Sequence, residues 1–284
     1  MRLDHIQTIW RPTSVAEAHS LLTKHGKGAR LLAGGVDLMQ YIPPEVEGLI
    51  DLAGAGLSAI EADGRAFCIG ATATLTELRE HAASRDWLDG ILVETLRQVA
   101  SPLQRNIATI GGAIVSANPW SDVITLLLAL DAVLVWFDGE AREVPIDEFV
   151  TQRGRLSGGI LTEVRLPRPA ETTAAAFRGF TRTAFDVALL NCACLVRMEG
   201  ERCVEVRIAL GGRPGLAVRL PDAEAGLVGG PLDDEAIARA AGNASRSADV
   251  RDDRRATAAY RRELAAVGVG RCLREVRTRS KAAA

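Results

Sequence analysis

The order of apolar and polar positions predicts mixed helices and strands in the first part of the chain. Residues 13–28, TSVAEAHSLLTKHGKG, have the spacing of an amphipathic helix, with Thr13 or Ser14 as N-cap and Gly26 or Gly28 beyond its end. Leu and Val at helical spacing predict three more helices, in TLTELREHAAS, ILVETLRQVAS and the buried segment DVITLLLAL. Short apolar runs bounded by Gly or Asp predict strands in ARLLAGG, GLIDLAG, RAFCIGATAT, AVLVWF, GEAREVPI and GGILTEVRLP.

A break in this pattern separates the last part of the chain. Two prolines and a polar run, LPRPAETT at 166–173, follow an apolar strand and indicate a domain boundary. Beyond it, three strand-like segments, AAAFRGFTRT, DVALLNCACLVRM and RCVEVRIALGG, precede two helices, DEAIARAAGNASRSA and ATAAYRRELAAVGVGRCLREVR. Strands followed by helices are typical of an α+β fold.

Composition sets broad limits on the class of protein. A length of 284 residues favours roughly two domains. The net charge of −2 gives no reason to expect nucleic acid or an anionic membrane as partner. No apolar run is long enough for a transmembrane helix, and no secretion signal is recognisable. Five cysteines without disulfide-framework spacing then predict reduced thiols and a cytoplasmic location.

Two adjacent glycine pairs stand out, in LLAGGVDL at 31–38 and in RNIATIGGAIVSANPWSD at 105–122. Each is interpreted as an apolar strand that runs into a Gly-Gly turn. One explanation is a tight turn that needs positive φ. The other is a pair of backbone-amide nests that hold the diphosphate of one ligand. Neither segment has the Rossmann or P-loop glycine pattern, so those two folds are disfavoured.

Residues for other chemistry are missing from the sequence pattern. Cys192 and Cys194 alternate on one strand without C-x-x-C partners, which favours core thiols over an iron–sulfur ligand set. The four histidines form no paired ligand pattern, and no Ser or Cys has a recognisable base partner. We therefore expect neither a metal site nor a catalytic residue in this chain.

The ordered segments resemble a known family over nearly the whole chain. LLAGGVDL, IGATATLTEL, SPLQRNIATIGGAIVSANPWSDVITLLLALDA and GGILTEVRLP are similar to the FAD-binding subunit of molybdenum hydroxylases, the family of the carbon monoxide dehydrogenase medium subunit and the flavin part of xanthine dehydrogenase. FRGFTRTAFDVALLNCA, ALGGRPGLAVRLPDAEAGLVGGPLDDEAIARAA and DDRRATAAYRREL resemble its C-terminal flavoprotein domain.

The resemblance implies an α+β architecture in three parts. Two FAD-binding lobes of the vanillyl-alcohol-oxidase/PCMH type, at 1–57 and 58–170, precede a C-terminal domain at 171–284. That domain is expected to have a three-stranded antiparallel sheet and a helical bundle.

The resemblance also implies which residues contact FAD. The first turn and its strand end should line the diphosphate, and the second turn should meet it from the other lobe. Val99 is expected to pack on the cofactor, Leu161 to lie near the isoalloxazine, and Asp122 to accept hydrogen bonds from ribose or adenine. The two turns comprise Leu32, Ala33, Gly34, Gly35, Val36 and Asp37, and Thr109, Ile110, Gly111, Gly112 and Ala113.

Two positions depart from the family pattern. Ala113 stands where the family commonly has Asn, which removes a side-chain hydrogen bond of about 1 kcal/mol. Arg178 replaces a family Lys, which keeps the charge but changes the geometry. Arg178 is therefore either a flavin partner or an ordinary salt-bridged surface residue.

The family's activity implies an electron-transfer role. A large molybdenum-cofactor subunit hydroxylates the substrate, a small [2Fe–2S] subunit passes electrons to the flavin, and the flavin passes them to an external acceptor. The assembly is expected to be a dimer of heterotrimers. Two alternatives stay open: a self-sufficient FAD-dependent oxidoreductase, and a non-redox module that binds another phosphate ligand.

Overall fold

The computed structural model describes residues 4–152, 156 and 158–282. The strands are β1 (Thr8–Trp10), β2 (Ala29–Leu32), β3 (Gly48–Asp51), β4 (Ile60–Ala62), β5 (Ala66–Gly70), β6 (Val133–Phe137), β7 (Ala141–Pro145), β8 (Ile160–Pro167), β9 (Thr173–Phe180), β10 (Leu190–Glu199), β11 (Arg202–Gly211) and β12 (Val218–Arg219). The helices are α1 (Val15–His25), α2 (Leu75–Glu80), α3 (Ala82–Asp86), α4 (Ile91–Leu96), α5 (Pro102–Arg105), α6 (Ile110–Val115), α7 (Asp122–Ala129), α8 (Ile146–Gln152), α9 (Pro221–Ala225), α10 (Asp234–Ser247) and α11 (Ala258–Ala282).

The chain forms two compact units, and the first holds two sheets. It comprises the residues up to His81 together with Ser101–Ser116 and Ala132–Pro167. One sheet has the order β1-β3-β2 with parallel pairing, and the other has the order β4-β5-β8-β6-β7 with antiparallel pairing. A buried apolar cluster that includes Ala18 of α1 and Ile50 of β3 forms one of its cores.

Local capping explains where the first helix begins and ends. The Ser14 side chain accepts a hydrogen bond from the Glu17 amide, and the Glu17 side chain accepts one from the Thr13 amide at 2.8 Å. Gly26 ends α1 with φ of 53°. The predicted helix in this segment is confirmed. The helix predicted in TLTELREHAAS is wrong in one respect, because extended backbone at His81 divides it into α2 and α3.

The second unit is built around the antiparallel sheet β12-β11-β10-β9. It comprises Ala82–Ala100, Ala117–Asp131 and the residues from Arg168 onward. Side chains alternate along β10, so Asn191 meets Thr125 of α7 whereas Cys192 meets Cys272 of α11. Helix α7 therefore covers one face of the sheet and α11 the other. The three predicted strands are confirmed, and the short β12 adds a fourth that the sequence did not indicate.

The two compact units divide the chain differently from the lobes expected at 1–57, 58–170 and 171–284. Two segments of the expected second lobe, 82–100 and 117–131, belong to the same unit as the C-terminal residues. The three-part division stays a prediction. Among the described residues, no helix is both long and apolar enough to cross a membrane.

Candidate cofactor site

The first glycine turn presents unpartnered backbone amides. Strand β2 ends at Leu32, and Gly35 then has φ of 72°, in the left-handed region. Within the described part of the chain, the amides of Gly34, Gly35 and Val36 have no hydrogen-bond acceptor. The turn from 31 to 36 is only half-buried. Successive free amides beside a left-handed residue are the elements of an anion-binding nest, and this turn has both.

The second glycine pair is helical, which corrects its interpretation as a strand and turn. Thr109 is the N-cap of α6, and its hydroxyl accepts a hydrogen bond from the Gly112 amide at 3.1 Å. Neither Gly111 nor Gly112 has positive φ. The amides of Ile110, Gly111, Gly112 and Ala113 donate to Ala73, Ala71 and Thr109. These amides are consequently satisfied within the protein, and the second segment is not a nest like the first.

Close contacts explain why both segments contain glycine. A Cβ at Gly34 would lie 1.7 Å from the carbonyl oxygen of Ile107, two residues before Thr109. A Cβ at Gly111 would lie 2.6 Å from the carbonyl oxygen of Ala71. The first contact brings the two glycine segments together within the first unit. The two segments are therefore close enough to contact the same ligand, as predicted from the sequence.

Leu161 lies within the five-stranded antiparallel sheet of the first unit. It is on β8 opposite Trp136 of β6, and it is only 5% exposed. Asp37 is exposed at the far end of the first turn. The predicted contacts of these two residues with a cofactor stay predictions.

A second group of candidate residues converges around Gly179 of β9, in the second unit. A Cβ at Gly179 would lie 3.3 Å from Oε1 of Gln98 and 3.9 Å from Oδ1 of Asp122. Val99, which follows Gln98, is half-buried. The structure thus brings Asp122 close to the segment that contains Val99, as a shared ligand contact requires.

Asp122 is the first residue of α7, where Ser121 is the N-cap. The Asn191 side-chain amide donates a hydrogen bond to Oδ1 of Asp122 at 2.6 Å. Burial raises the pKa of the Asp122 carboxyl to about 6, and the hydrogen bond from Asn191 opposes this rise. Asp122 is consequently a partly buried carboxylate that changes charge just below neutral pH.

Sequence reasoning missed Gln98, Gly179 and Asn191. Two signals could have found Gly179 and Asn191: a glycine inside the strand FRGFTR, which marks a close approach, and a polar Asn inside the apolar strand LLNCACLV. Asn191 is fully buried. Which residues these two would meet could not be read from the sequence, because the contacts are far apart along the chain.

Arg178 forms a salt bridge within the protein, as the second of its two explanations predicts. Its guanidinium contacts Glu275 of α11 and donates a hydrogen bond to the carbonyl oxygen of Phe177 at 2.7 Å. Glu275 also binds Arg279. The role of Arg178 as a flavin partner stays a prediction, and the structure gives its charge a partner within the protein.

The cysteines of the last domain lie in the core, as predicted. Cys192, Cys194 and Cys272 have no exposed surface, and the sulfurs of Cys192 and Cys272 are 3.8 Å apart. Burial raises the pKa of the Cys194 thiol. The described residues contain no group of three or more His, Cys, Asp or Glu side chains placed to hold a metal ion.

Two family models match successive parts of the chain and together cover most of it. Residues 4–169 match the FAD binding domain in molybdopterin dehydrogenase, and residues 175–276 match the CO dehydrogenase flavoprotein C-terminal domain. The carbon monoxide dehydrogenase medium chain of Hydrogenophaga pseudoflava is 32% identical over 270 residues, covering 92% of this chain and 94% of that one. The xanthine dehydrogenase FAD-binding subunit of Escherichia coli O157:H7 is 30% identical over 237 residues, covering 78% and 79%.

A solved structure agrees with these relatives. The fold is similar to a chain in carbon monoxide dehydrogenase from Hydrogenophaga pseudoflava which lacks the Mo-pyranopterin moiety of the molybdenum cofactor, with a TM-score of 0.89 and 30% identity. The match covers 96% of this chain and 98% of that one.

An FAD-binding domain followed by a flavoprotein C-terminal domain defines a flavin-dependent oxidoreductase subunit. The chain belongs to the family of FAD-binding medium subunits of molybdenum hydroxylases, as its relatives among carbon monoxide and xanthine dehydrogenases do. The expectation of FAD as cofactor is thereby confirmed.

Proposed function

We propose that this chain carries electrons from [2Fe–2S] clusters of a partner subunit, through FAD, to an external acceptor. FAD, when bound, supplies the redox chemistry, because it exchanges one or two electrons. The proposed partners are a large molybdenum-cofactor subunit and a small [2Fe–2S] subunit, in a dimer of heterotrimers. The name "medium chain" carried by the relatives supports such an assembly. We also propose PCMH-type lobes and a cytoplasmic location.

The free amides of the first turn carry the proposal for cofactor binding. Gly34, Gly35 and Val36 offer three successive donors without acceptors among the described residues, and such donors suit a diphosphate. Leu32, Ala33 and Asp37 flank them. The second segment would contact the cofactor by packing rather than by amide donation, because its amides from Ile110 to Ala113 already have acceptors.

The other proposed contacts have different chemistry. Asp122 would accept a hydrogen bond from a ribose or adenine donor, and Val99 and Leu161 would supply apolar contact. Arg178 would act through its charge, which Glu275 partly offsets. The residues of this chain thus bind, orient and shield FAD, and substrate oxidation is assigned to the molybdenum subunit.

A charge placed beside the nest tests the binding site. We expect Val36→Asp to weaken FAD binding about tenfold, because a carboxylate a few ångströms from a diphosphate repels it. Val36→Asn is the matched neutral control and should bind FAD like the parent chain. The measurement is FAD affinity from the change in flavin fluorescence, with thermal unfolding of both variants beside it.

Val36 is a better site for substitution than Gly34 or Gly111, because both glycines are in close contact with neighbouring backbone. Substituting Gly34 or Gly111 would force a Cβ onto neighbouring backbone, so flavin loss would be mixed with misfolding. If Val36→Asp and Val36→Asn bind FAD equally well, the diphosphate does not lie at this turn.

The electron-transfer role needs a separate experiment. The tagged chain, purified from its own cells, should carry iron and molybdenum in fixed proportion to flavin. Metal analysis and the visible spectrum measure this. A pure chain that contains flavin without either metal, and that turns over an electron donor alone, would instead indicate a self-sufficient oxidoreductase.

A further inference from the structure

A buried amide fixes the position of the Asp122 side chain. Asn191 is fully buried on β10, and its Nδ2 lies 2.6 Å from Oδ1 of Asp122 and 3.2 Å from the carbonyl oxygen of Trp120. Its Oδ1 accepts a hydrogen bond from the Thr125 hydroxyl at 2.8 Å. Two acceptors on one side and a donor on the other determine the orientation of the amide.

The neighbouring strand leaves room for this arrangement. A Cβ at Gly211 of β11 would lie 2.2 Å from Oδ1 of Asn191 and 2.3 Å from the hydroxyl of Thr125. Any other residue at 211 would push the amide out of place. Gly211, Thr125 and Asn191 therefore form one packed unit beneath Asp122.

The second oxygen of Asp122 remains available to a ligand. Oδ2 has no donor among the described residues, and it is not among their buried unpartnered atoms, so it can be reached. The backbone of Gly179 lies near the other oxygen, because a Cβ there would be 3.9 Å from Oδ1. Oδ2 is therefore the oxygen that can accept a hydrogen bond from an incoming hydroxyl or amino group.

We propose that Asn191 is a positioning residue that binds one oxygen of Asp122 and presents the other to a hydroxyl or amino donor of the bound cofactor. This inference rests on the proposed function, in which Asp122 contacts FAD. It adds a residue absent from the candidates that the sequence supplied, and it makes cofactor binding dependent on pH.

In the part of the chain that the structure describes, no charged side chain contributes to the shifted pKa of Asp122. Most charged side chains of the elements around α7 bind other partners. Glu94 of α4 binds Arg279, Arg178 of β9 binds Glu275, Arg197 of β10 binds Glu199 and Glu205, Arg207 of β11 binds Asp131 and Glu205, and Arg219 of β12 binds Glu224. Arg202 is the first residue of β11, at the opposite end of the strand from Gly211. The thiols of Cys192 and Cys194 lie on the opposite face of β10, toward α11. Burial and the Asn191 amide are therefore the influences on Asp122.

The direction of the pH dependence follows from the charge of Asp122. Its pKa is raised to about 6 by burial, so the carboxylate is present above this pH and protonated below it. We expect FAD affinity to fall about tenfold as the pH drops through 6, because a hydrogen bond to a charged acceptor is lost.

The test compares Asn191→Leu with Asn243→Leu. Asn191→Leu removes the amide donor at similar size and should raise the midpoint of the Asp122 titration by about one pH unit. Asn243→Leu makes the same change in α10, where the side chain donates to the carbonyl oxygen of Asp222, and should leave the midpoint unmoved. The carboxyl carbon signal of Asp122, followed by NMR without FAD and assigned with Asp122→Asn, measures it, and FAD affinity is then measured over the same pH range.

Each outcome of this test decides one part of the proposal. A midpoint that does not move in Asn191→Leu overturns the positioning role. If the midpoint moves in Asn191→Leu but Asp122→Asn binds FAD like the parent at every pH, the positioning of Asp122 by Asn191 is supported. The contact between Asp122 and the cofactor is then overturned. If the parent chain binds no FAD at any pH, the proposed function fails, and the carboxyl titration still decides the role of Asn191.

Discussion

Glycines 34 and 111 are required by contact with neighbouring backbone and not by their own dihedral angles. Neither has positive φ, whereas a Cβ at either position would collide with a carbonyl oxygen, of Ile107 and of Ala71. Only Gly35 of the two pairs needs the left-handed region. In a glycine pair, one glycine can thus be required by close packing of the chain and the next by the backbone conformation of a turn.

This difference predicts the effect of adding one methyl group. We expect Gly111→Ala to destabilise the first unit by about 1–3 kcal/mol, because neither the backbone nor the Cβ of Ala71 can move aside easily. Gly270→Ala, inside α11, is the control. Its Cβ would meet only ordinary contacts at 3.5 Å or more, and it should stabilise by up to about 1 kcal/mol through helix propensity.

Differential scanning calorimetry checks both variants. A lowered transition in Gly111→Ala and an unchanged or raised one in Gly270→Ala are expected. Equal melting behaviour of the two variants would mean that the contact between Gly111 and Ala71 is looser than the distances indicate.

At the level of elements, the sequence was informative wherever one local pattern decides the structure. The apolar runs of β9, β10 and β11, and the Ser121 cap of α7, made these elements predictable. Helix α6 was missed because IGGAIV has two glycines and β-branched residues, which local propensity assigns elsewhere. The cap at Thr109 and packing on Ala71 override that propensity.

The candidate site was likewise only partly predictable from the sequence. The resemblance supplied Gly34, Gly35 and Asp122, but Asn191 and Gly179 approach Asp122 only through the fold. Their separation from Asp122 along the chain, 69 residues for Asn191, leaves no local pattern that pairs them with Asp122.

The cap of α6 gives a prediction at this scale. We expect Thr109→Val to destabilise the chain by about 1 kcal/mol, because the Gly112 amide loses its acceptor. Thr109→Ser keeps the oxygen and should restore most of the stability. Thermal unfolding measures both, and a Thr109→Val variant that is as stable as the parent, with only Thr109→Ser destabilised, would show that the methyl group of Thr109, and not its hydroxyl, matters.

At the level of the whole molecule, the second unit depends on two segments from the first half of the chain. Helix α7 packs on β10 and β11, and α4 packs on β9. Ion pairs of Arg207 with Asp131 and of Arg279 with Glu94 connect the same parts. The C-terminal family domain, matched at 175–276, therefore lacks the helices that cover one face of its sheet.

Cutting the chain at the predicted boundary tests this dependence. A protease site inserted in the exposed segment 170–172 should give two pieces that stay together in gel filtration, because both contribute to the second unit. Residues 171–284 produced alone should bind a hydrophobic dye and unfold without a cooperative transition, since the face of the sheet under α7 would be open to water. Pieces that separate after cleavage, with a cooperative melt of 171–284, would mean that the C-terminal domain folds without α4 and α7.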